Sequence, residues 1–243
     1  MRNSFCSLFF FIFMVSWSQD KADSSKTKLK AYATVSLNSN GIASIPAFSL
    51  GEPAIMASVS LVKNRFSYDP TLAYGFDMKP WFIDNWLHYK IIRKPSWELR
   101  TGLNISSFFS EYQLDDDKTI LEGQRYFALE LAATYRFSPN SSLTFMYWND
   151  NGYEPGSISG HFFNLVGERT DIKIGNKVLM GVNIQLFCIT YDGNNDGLFI
   201  SPKISSSLIN VPFSLFFQAT QPIVTNVTPY PGFKWNIGIS YTL

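Results

Sequence analysis

Two histidines, His88 and His161, are the first residues of this sequence that could perform catalysis, and the sequence contains no others. Asp84 shares a face with His88 if the segment is a strand, but four strand residues span roughly 13 Å. That separation is far beyond hydrogen-bond reach. His161 has Ser157 and Ser159 nearby but no recognisable acid or base partner. We therefore interpret both histidines as structural and predict no catalytic residue; an enzyme that hydrolyses lipid or peptide stays open as the least favoured alternative.

A calcium-loop pattern is the second candidate for chemistry. The segment Asp192-Gly-Asn194-Asn-Asp196-Gly197 matches the first half of such a loop, but the position of the bidentate glutamate is occupied by Lys203. Asp, Asn and Gly are also the usual residues of tight turns. We therefore predict a plain loop with neither metal nor cofactor. A metal at this loop would have three oxygen-bearing residues to use: Asp192, Asn194 and Asp196.

Charged side chains placed among alternating residues form the third candidate. This set comprises Asp69, Asp77, Asp84, Lys90, Glu98, Arg100, Glu130, Arg136 and Lys203. If their segments are strands of one barrel, these side chains share its interior face and line the lumen. Both signs are interspersed, whereas rings of a single sign would have indicated ion selectivity. Two readings stay open, in which the charges either pair and fill the lumen or line a narrow water path.

The segments that carry these charges have a period of two. In the last of them, apolar residues from Phe233 to Leu243 alternate with polar or small residues, and segment 127–137 repeats the pattern. Strand side chains alternate between two faces, so each segment has one apolar and one polar face. Many of the segments reach ten residues, whereas strands of soluble proteins average five or six and membrane-spanning strands need about nine to eleven. Strand length therefore favours a barrel in a membrane over a soluble sandwich.

The strand pattern predicts an all-β fold, a closed antiparallel up-and-down transmembrane β-barrel of about 12 strands, with 10–14 compatible with the pattern. The predicted strands are 29–38, 54–63, 65–79, 82–93, 96–110, 124–137, 141–149, 158–173, 177–191, 197–208, 212–220 and 232–243. Short turns alternate with mostly longer connections, which are 39–53, 111–123, 150–157, 192–196 and 221–231. This asymmetry is typical of outer-membrane barrels. Closure is expected because unpaired backbone groups are costly in the bilayer core.

Aromatic residues cluster at the predicted strand ends. The cluster at the predicted periplasmic rim contains Trp97, Phe137, Phe213 and Tyr241. The cluster at the predicted outer rim contains Trp81, Tyr147, Trp148, Tyr191 and Trp235. Aromatic side chains at headgroup level form such belts around membrane barrels.

Composition supports an exported membrane protein. Charged residues make up 16% of the 243 residues and the formal net charge is +1, whereas an average soluble domain is about a quarter charged. A net charge near zero does not favour nucleic acid as a partner. The start of the chain predicts a signal peptide over 1–18, a flexible lead-in over 19–28 and the barrel over 29–243. Removal of residues 1–18 leaves Cys188 as the sole cysteine, so we expect no internal disulfide.

The C-terminal run from Trp235 to Leu243 resembles the terminal strand signal of Gram-negative outer-membrane β-barrel proteins. In that family the signal consists of alternating hydrophobic residues that end on an aromatic, whereas this chain ends on Leu243 with Tyr241 two residues earlier. The resemblance implies an outer-membrane location, contact with outer-membrane lipid, and recognition of the last strand by the barrel-assembly machinery. It does not identify a functional subfamily.

The first long connection is unusually apolar. We hypothesise that its side chains Ile45, Phe48 and Leu50 fold into the barrel mouth as a constriction or dock on another envelope protein. The sequence-based interpretation is therefore a narrow passive channel for small solutes. The alternative is a plugged structural barrel or a subunit of an envelope complex, and the pattern alone does not separate the two.

Overall fold

The computed structural model describes residues 28–115, 118–193 and 195–243, and they form one antiparallel sheet of twelve strands. The strands are β1 (Lys30–Asn38), β2 (Ala54–Lys63), β3 (Phe66–Gly75), β4 (Pro80–Arg93), β5 (Trp97–Asp115), β6 (Lys118–Ser138), β7 (Ser141–Gly152), β8 (Gly160–Ile174), β9 (Val178–Tyr191), β10 (Asn195–Leu208), β11 (Phe213–Thr225) and β12 (Lys234–Thr242). In this part of the chain we find no helix that is long and apolar enough to cross a membrane.

The sheet closes on itself because β1 pairs with β12 as well as with β2. The backbone amide of Leu243 donates to the carbonyl of Ala33 over 2.8 Å, which extends the β1–β12 ladder to the end of the chain. Every other strand pairs with its neighbours in sequence. The predicted closed up-and-down barrel of twelve strands is therefore confirmed. The predicted signal peptide over 1–18 and most of the lead-in over 19–28 lie outside the described residues.

The two ends of the barrel differ in their connections. At one end, the turn end, lie the start of β1, the end of β12 and the turns 64–65, 94–96, 139–140, 175–177 and 209–212. At the other end, the loop end, lie the connections 39–53, 76–79, 153–159 and 226–233, together with the described ends of the β5–β6 and β9–β10 strand pairs. The predicted asymmetry is therefore present.

Several predicted strand ends were wrong at the loop end. Residues 111–123, predicted as a loop, belong mostly to β5 and β6, because cross-strand pairs such as Tyr112 with Ile120 continue the ladder. Strands β7 and β11 likewise extend to Gly152 and Thr225, which shortens their predicted loops. Strand β3 is shorter than predicted and ends at Gly75, where the chain turns.

Side chains alternate between the outer surface and the lumen as the period of two requires. On β6, Leu129 is 49% exposed on the outside, while its neighbour Glu130 is 3% exposed on the inside. Trp97, Phe137 and Phe213 are exposed at the turn end, which agrees with the predicted aromatic cluster there.

The aromatic cluster predicted at the other rim was partly wrong. Trp81, Trp148 and Tyr191 face the lumen and do not form an outer belt. Their register explains this orientation, since Trp148 lies directly opposite the inward-facing Glu130. Trp235, by contrast, is exposed on the outer face.

Candidate functional site

The connection between β1 and β2, residues 39–53, is termed the mouth loop. Its two arms form a small hairpin in which the Ala43 amide donates to the Phe48 carbonyl over 3.0 Å and the Leu50 amide donates to the Gly41 carbonyl over 2.9 Å. A backbone inside a lumen must satisfy its polar groups internally, and this hairpin does so. The apolar composition of the loop and its internal hydrogen bonds thus allow it to fold inward.

The tip of the mouth loop packs on the opposite wall of the barrel. Ile45 and Ala47 are buried in a cluster with side chains of β8, β9 and β10, which lie nearly opposite β2 in the strand order. The residues of that wall in the cluster are Phe162, Phe187, Ile189, Tyr191 and Phe199. The loop therefore extends from one side of the lumen to the other.

The base of the mouth loop packs against its own side of the barrel. Ala43 is buried with Trp81 and Phe82, and Leu50 packs at the edge of this cluster. Gly41 lies so close to Trp81 that a β-carbon on it would be 2.6 Å from the indole ring. Phe48, the third predicted constriction residue, is half-exposed, and its ring meets the edge of Tyr191 at 6.2 Å between centroids.

A cavity of about 600 Å³, termed the mouth cavity, lies between the mouth loop and the wall formed by β4 to β7. Its aromatic lining comprises Phe48, Trp81, Trp86, Phe108, Phe109, Tyr126, Trp148, Tyr191 and Tyr230. Its acidic lining comprises Asp84 and Asp150. Ligand sites usually combine such an apolar wall with a few polar groups that fix orientation.

The two carboxylates of the mouth cavity each accept one hydroxyl hydrogen bond. Ser44 of the mouth loop donates to Asp84 over 3.0 Å, and the Tyr191 hydroxyl donates to Asp150 over 3.2 Å. Asp84 is only 5% exposed. Within the described ranges, neither carboxylate forms an ion pair. The cavity therefore holds two acidic groups that are not neutralised by a neighbouring base.

Two tryptophans form the floor of the mouth cavity. The rings of Trp86 and Trp148 lie 4.8 Å apart, although they come from β4 and β7. Small or short side chains on the intervening strands, Asn104 and Ala128, leave room for this contact. Trp86 stacks on His88 at 5.3 Å, and the Trp148 indole N–H donates to Glu130 over 2.9 Å. The two tryptophan rings are thus held in place by His88 and Glu130, which lie nearer the turn end.

Beneath the floor lies a group of paired charges, termed the ionic cluster, made of Asp69, His88, Arg100 and Glu130. Arg100 binds Glu130 with two hydrogen bonds, 2.8 Å from Nε and 3.1 Å from an Nη atom. His88 Nδ1 lies 2.7 Å from Asp69, and its Nε2 lies 3.5 Å from Glu130. The bidentate pairing of Arg100 with Glu130 is the strongest geometry for an arginine–carboxylate pair.

Gly102 makes the ionic cluster geometrically possible. It lies between His88 and Glu130 in the register of β4, β5 and β6. A β-carbon at this position would be 2.6 Å from the His88 ring and 3.2 Å from Glu130. The absent side chain leaves the space in which the imidazole approaches the carboxylate across β5.

A second set of ion pairs lies nearer the turn end. Glu98 accepts hydrogen bonds from Lys90 over 2.9 Å and from Arg136 over 3.1 Å. Five of the charged residues predicted to line the lumen therefore pair with each other across strands β4 to β6, and Asp69 reaches them through His88. Sequence alone did not pair them because the pairs depend on the register between strands.

The two remaining charges of the predicted set lie elsewhere. Asp77 was predicted on a lumen-facing strand, but β3 ends at Gly75 and Asp77 lies exposed in the turn that follows. The backbone amide of Lys79 donates to the Asp77 carboxylate and lowers its pKa below the usual range. Lys203 faces the lumen on β10, where its ammonium lies 4.2 Å from the centre of the Phe216 ring.

The calcium-loop pattern does not assemble into a metal site within the described residues. Asn194 lies outside them. The Asp192 carboxylate accepts a hydrogen bond from the Ser159 amide over 3.0 Å, and the Asp196 amide donates to Asn226 over 2.6 Å. Across the described ranges, we find no group of three or more His, Cys, Asp or Glu residues arranged to hold a metal ion.

The histidines lack the geometry of a hydrolase. His88 is buried in the ionic cluster, and the nearby hydroxyls of Ser60 and Ser67 bind the Asp69 carboxylate instead of the imidazole. A nucleophilic serine would have to be hydrogen-bonded to the histidine that activates it. His161 faces outward and lies 2.9 Å from the Tyr147 hydroxyl.

Sequence reasoning missed Asp150 and the inward orientation of Trp148. Trp148 faces the lumen because it pairs with the inward-facing Glu130, and the continuation of β7 to Gly152 places Asp150 two residues further along the same face. The alternation could have been extended by one step, but Asn-Asp-Asn-Gly at 149–152 is also a strong turn signal. In this region the strand pairing outweighs the local turn preference.

Comparison with known proteins finds similar structures but no similar sequence. No protein-family profile and no curated protein matches the chain. The structure titled "KdgM porin" matches with a TM-score of 0.55 and 8% identity over 86% of this chain and 98% of that chain. "KdgM porin in complex with disordered oligogalacturonate" matches with a TM-score of 0.54 and 8% identity, covering 87% and 97%.

A third structure, the COG4313 outer membrane channel from Pseudomonas putida F1, matches with a TM-score of 0.51 and 10% identity over 92% of this chain and 99% of that chain. The structural agreement shows that the chain shares the barrel fold of these proteins, and at identities this low the comparison shows the fold alone.

Proposed function

We propose that this protein is an outer-membrane β-barrel that forms a narrow passive channel for small solutes, with the mouth loop as its constriction. The observation that carries the proposal is the path of the mouth loop, whose buried tip at Ile45 and Ala47 reaches the wall opposite its base. Beside the loop remains a cavity of about 600 Å³. A solute that enters from the loop end would have to pass between the loop and the β4–β7 wall.

The structural neighbours support a channel by analogy. Two solved barrels with the same fold are a porin and an outer membrane channel. One fold hosts many functions, so the mouth loop and the mouth cavity, and not the fold alone, support a channel in this chain.

Export and insertion complete the proposal. Residues 1–18 act as a signal peptide that is removed during export, and the barrel inserts in the outer membrane of a Gram-negative bacterium. The assembly machinery recognises the alternating strand β12. The exposed apolar residues of the outer surface, such as Leu129 and Ile237, then meet lipid.

Single-channel recording in planar bilayers tests the channel. We expect discrete current steps from the mature chain. A variant in which 43–49 is replaced by two glycines should give larger steps, because the mouth loop then no longer crosses the lumen. As a matched control, trimming 111–121 shortens the β5–β6 hairpin at the same end and should leave the step size close to that of the unaltered chain. A properly folded but silent mature chain, or equal steps from the mouth-loop variant, would contradict the proposal.

A plugged structural barrel is the second candidate, and one observation favours it. The contact between Trp86 and Trp148, with the ionic cluster beneath, fills the β4–β7 side of the lumen. A silent mature chain with a conducting mouth-loop variant would support this alternative. Proteins that copurify with the unaltered chain would then have to be identified.

A further inference from the structure

We propose that the mouth cavity binds a small organic cation, an amine or quaternary ammonium compound with an apolar body and an oxygen-bearing group. This inference deepens the proposed function by naming the class of solute, and as a statement about transport it rests on that function. Binding itself can be measured without any current.

The charge of the mouth cavity favours a cation. Asp84 and Asp150 both line it, and neither has an ion-pair partner among the described residues. Lys234 is the one basic side chain that lines the cavity in the described part of the chain. A carboxylate removed from water without a partner is costly, so a bound cation would stabilise this arrangement.

The walls of the mouth cavity suit the same ligand. Trp81, Trp86 and Trp148 line it together with Tyr126 and Tyr191. Aromatic faces attract cations through the ring quadrupole, and tryptophan does so most strongly. Trp86 and Trp148 are held by contacts with each other and with the ionic cluster. The aromatic surface is therefore in place before a ligand arrives.

A buried amide without a well-formed hydrogen bond adds a further indication of a ligand. Asn104 lines the mouth cavity, is 2% exposed and lies beside the Asp84 carboxylate, but its Nδ2 donor forms no hydrogen bond of good geometry among the described residues. Buried donors without partners are rare in native structures and require an explanation. A hydroxyl or other acceptor oxygen on the bound cation would supply the missing partner.

Anionic solutes do not fit this site. One structural neighbour is titled as a complex with oligogalacturonate, an acidic oligosaccharide. An acidic ligand would place its own carboxylates against Asp84 and Asp150, where like charges repel. The mouth cavity of this chain therefore favours the opposite charge.

Choline and its neutral isostere 3,3-dimethylbutan-1-ol provide a matched pair of probes, since they share shape and hydroxyl and differ in charge. Their binding to the folded full-length barrel in detergent can be followed by tryptophan fluorescence at about pH 8, where free carboxyl groups are ionised. We expect choline to bind about tenfold more tightly than the isostere. Equal affinity of the two probes, or no binding of choline, would overturn the inference.

Substitution of the two cavity carboxylates tests whether they cause the preference for choline. Asp84→Asn and Asp150→Asn should each weaken choline binding about tenfold and leave the isostere unaffected. Asp150 is less buried than Asp84, so Asp150→Asn serves if the other variant does not fold. The control Asp171→Asn removes a carboxylate at the turn end and should change nothing; its backbone φ of 53° suits Asn as well as Asp. Choline binding that survives both cavity variants overturns the inference.

The outcomes also separate this inference from the proposed channel. A barrel that binds choline but carries no current keeps the cation site and refutes the channel. A barrel that conducts but does not distinguish choline from its isostere keeps the channel and refutes the cation site.

Discussion

The lumen of this barrel has two halves that are filled by different means. In the ionic half, strands β3 to β7, paired charges such as Arg100 with Glu130 reach across neighbouring strands. In the neutral half, strands β8 to β12, most of the buried inward side chains are aromatic, aliphatic or uncharged polar groups, and the aromatic ones meet the mouth loop.

The difference follows from the residues between the large side chains. In the ionic half, Gly102 and Ala132 leave space over which charged side chains meet, so the charges beneath the mouth cavity are neutralised by residues of the same wall. In the neutral half, the rings of Phe187 and Phe199 stack at 5.1 Å and are covered by Ile45 and Ala47. The neutral half therefore depends on a loop from the other side of the barrel.

The largest effect should come from the centre of the ionic half. Glu130→Gln removes the buried carboxylate that Arg100 binds, so the half-buried guanidinium loses its partner, and it weakens the contact with His88 and the hydrogen bond from the Trp148 indole. We expect the free energy of unfolding to fall by about 3–5 kcal/mol. Urea titration of the refolded barrel in detergent measures this. Glu122→Gln, the same change at an exposed position of β6, should have little effect, and similar losses in both variants would refute a special role for the cluster.

A pair of glycines compares the two halves directly. Gly102→Ala adds a β-carbon 2.6 Å from the His88 ring, whereas Gly167→Ala on β8 meets no atom within 4 Å. We expect Gly102→Ala to lower the free energy of unfolding by about 1–3 kcal/mol through overpacking, and Gly167→Ala to leave it unchanged or to raise it. The same denaturation experiment checks both variants. If the two alanines behave alike, the close fit at Gly102 is not what sets the ionic half apart.

The smallest effect should come from the one cation–π pair of the neutral half. Lys203→Met keeps the length of the side chain and removes the charge that lies over Phe216. We expect a loss of about 0.5–1 kcal/mol, measured against Lys177→Met in an exposed turn. A gain in stability would mean that the cost of burying the ammonium exceeds its attraction to the ring.

The fold was predictable from sequence because alternation of side chains is a local property. It identified the twelve strands and their closure, and most errors were at strand ends such as Gly75 and Thr225. The site was harder to predict, since the partners of Glu130 lie 18 to 42 residues away in sequence and meet it only through the register of three strand pairs. The orientation of Trp148 was missed for the same reason.

The passage of ions through the mouth cavity can be tested most directly by chemical modification of its wall. Gln124→Cys, in a Cys188→Ser background, places a thiol in the cavity wall, and Glu122→Cys places one two residues nearer the loop end of β6, outside the cavity lining. A bulky thiol reagent is added during single-channel recording, and mass spectrometry verifies complete modification. We predict a clear fall in current for position 124 and little change for position 122. Complete modification at 124 with unchanged current would contradict the central claim that solutes cross the barrel beside the mouth loop.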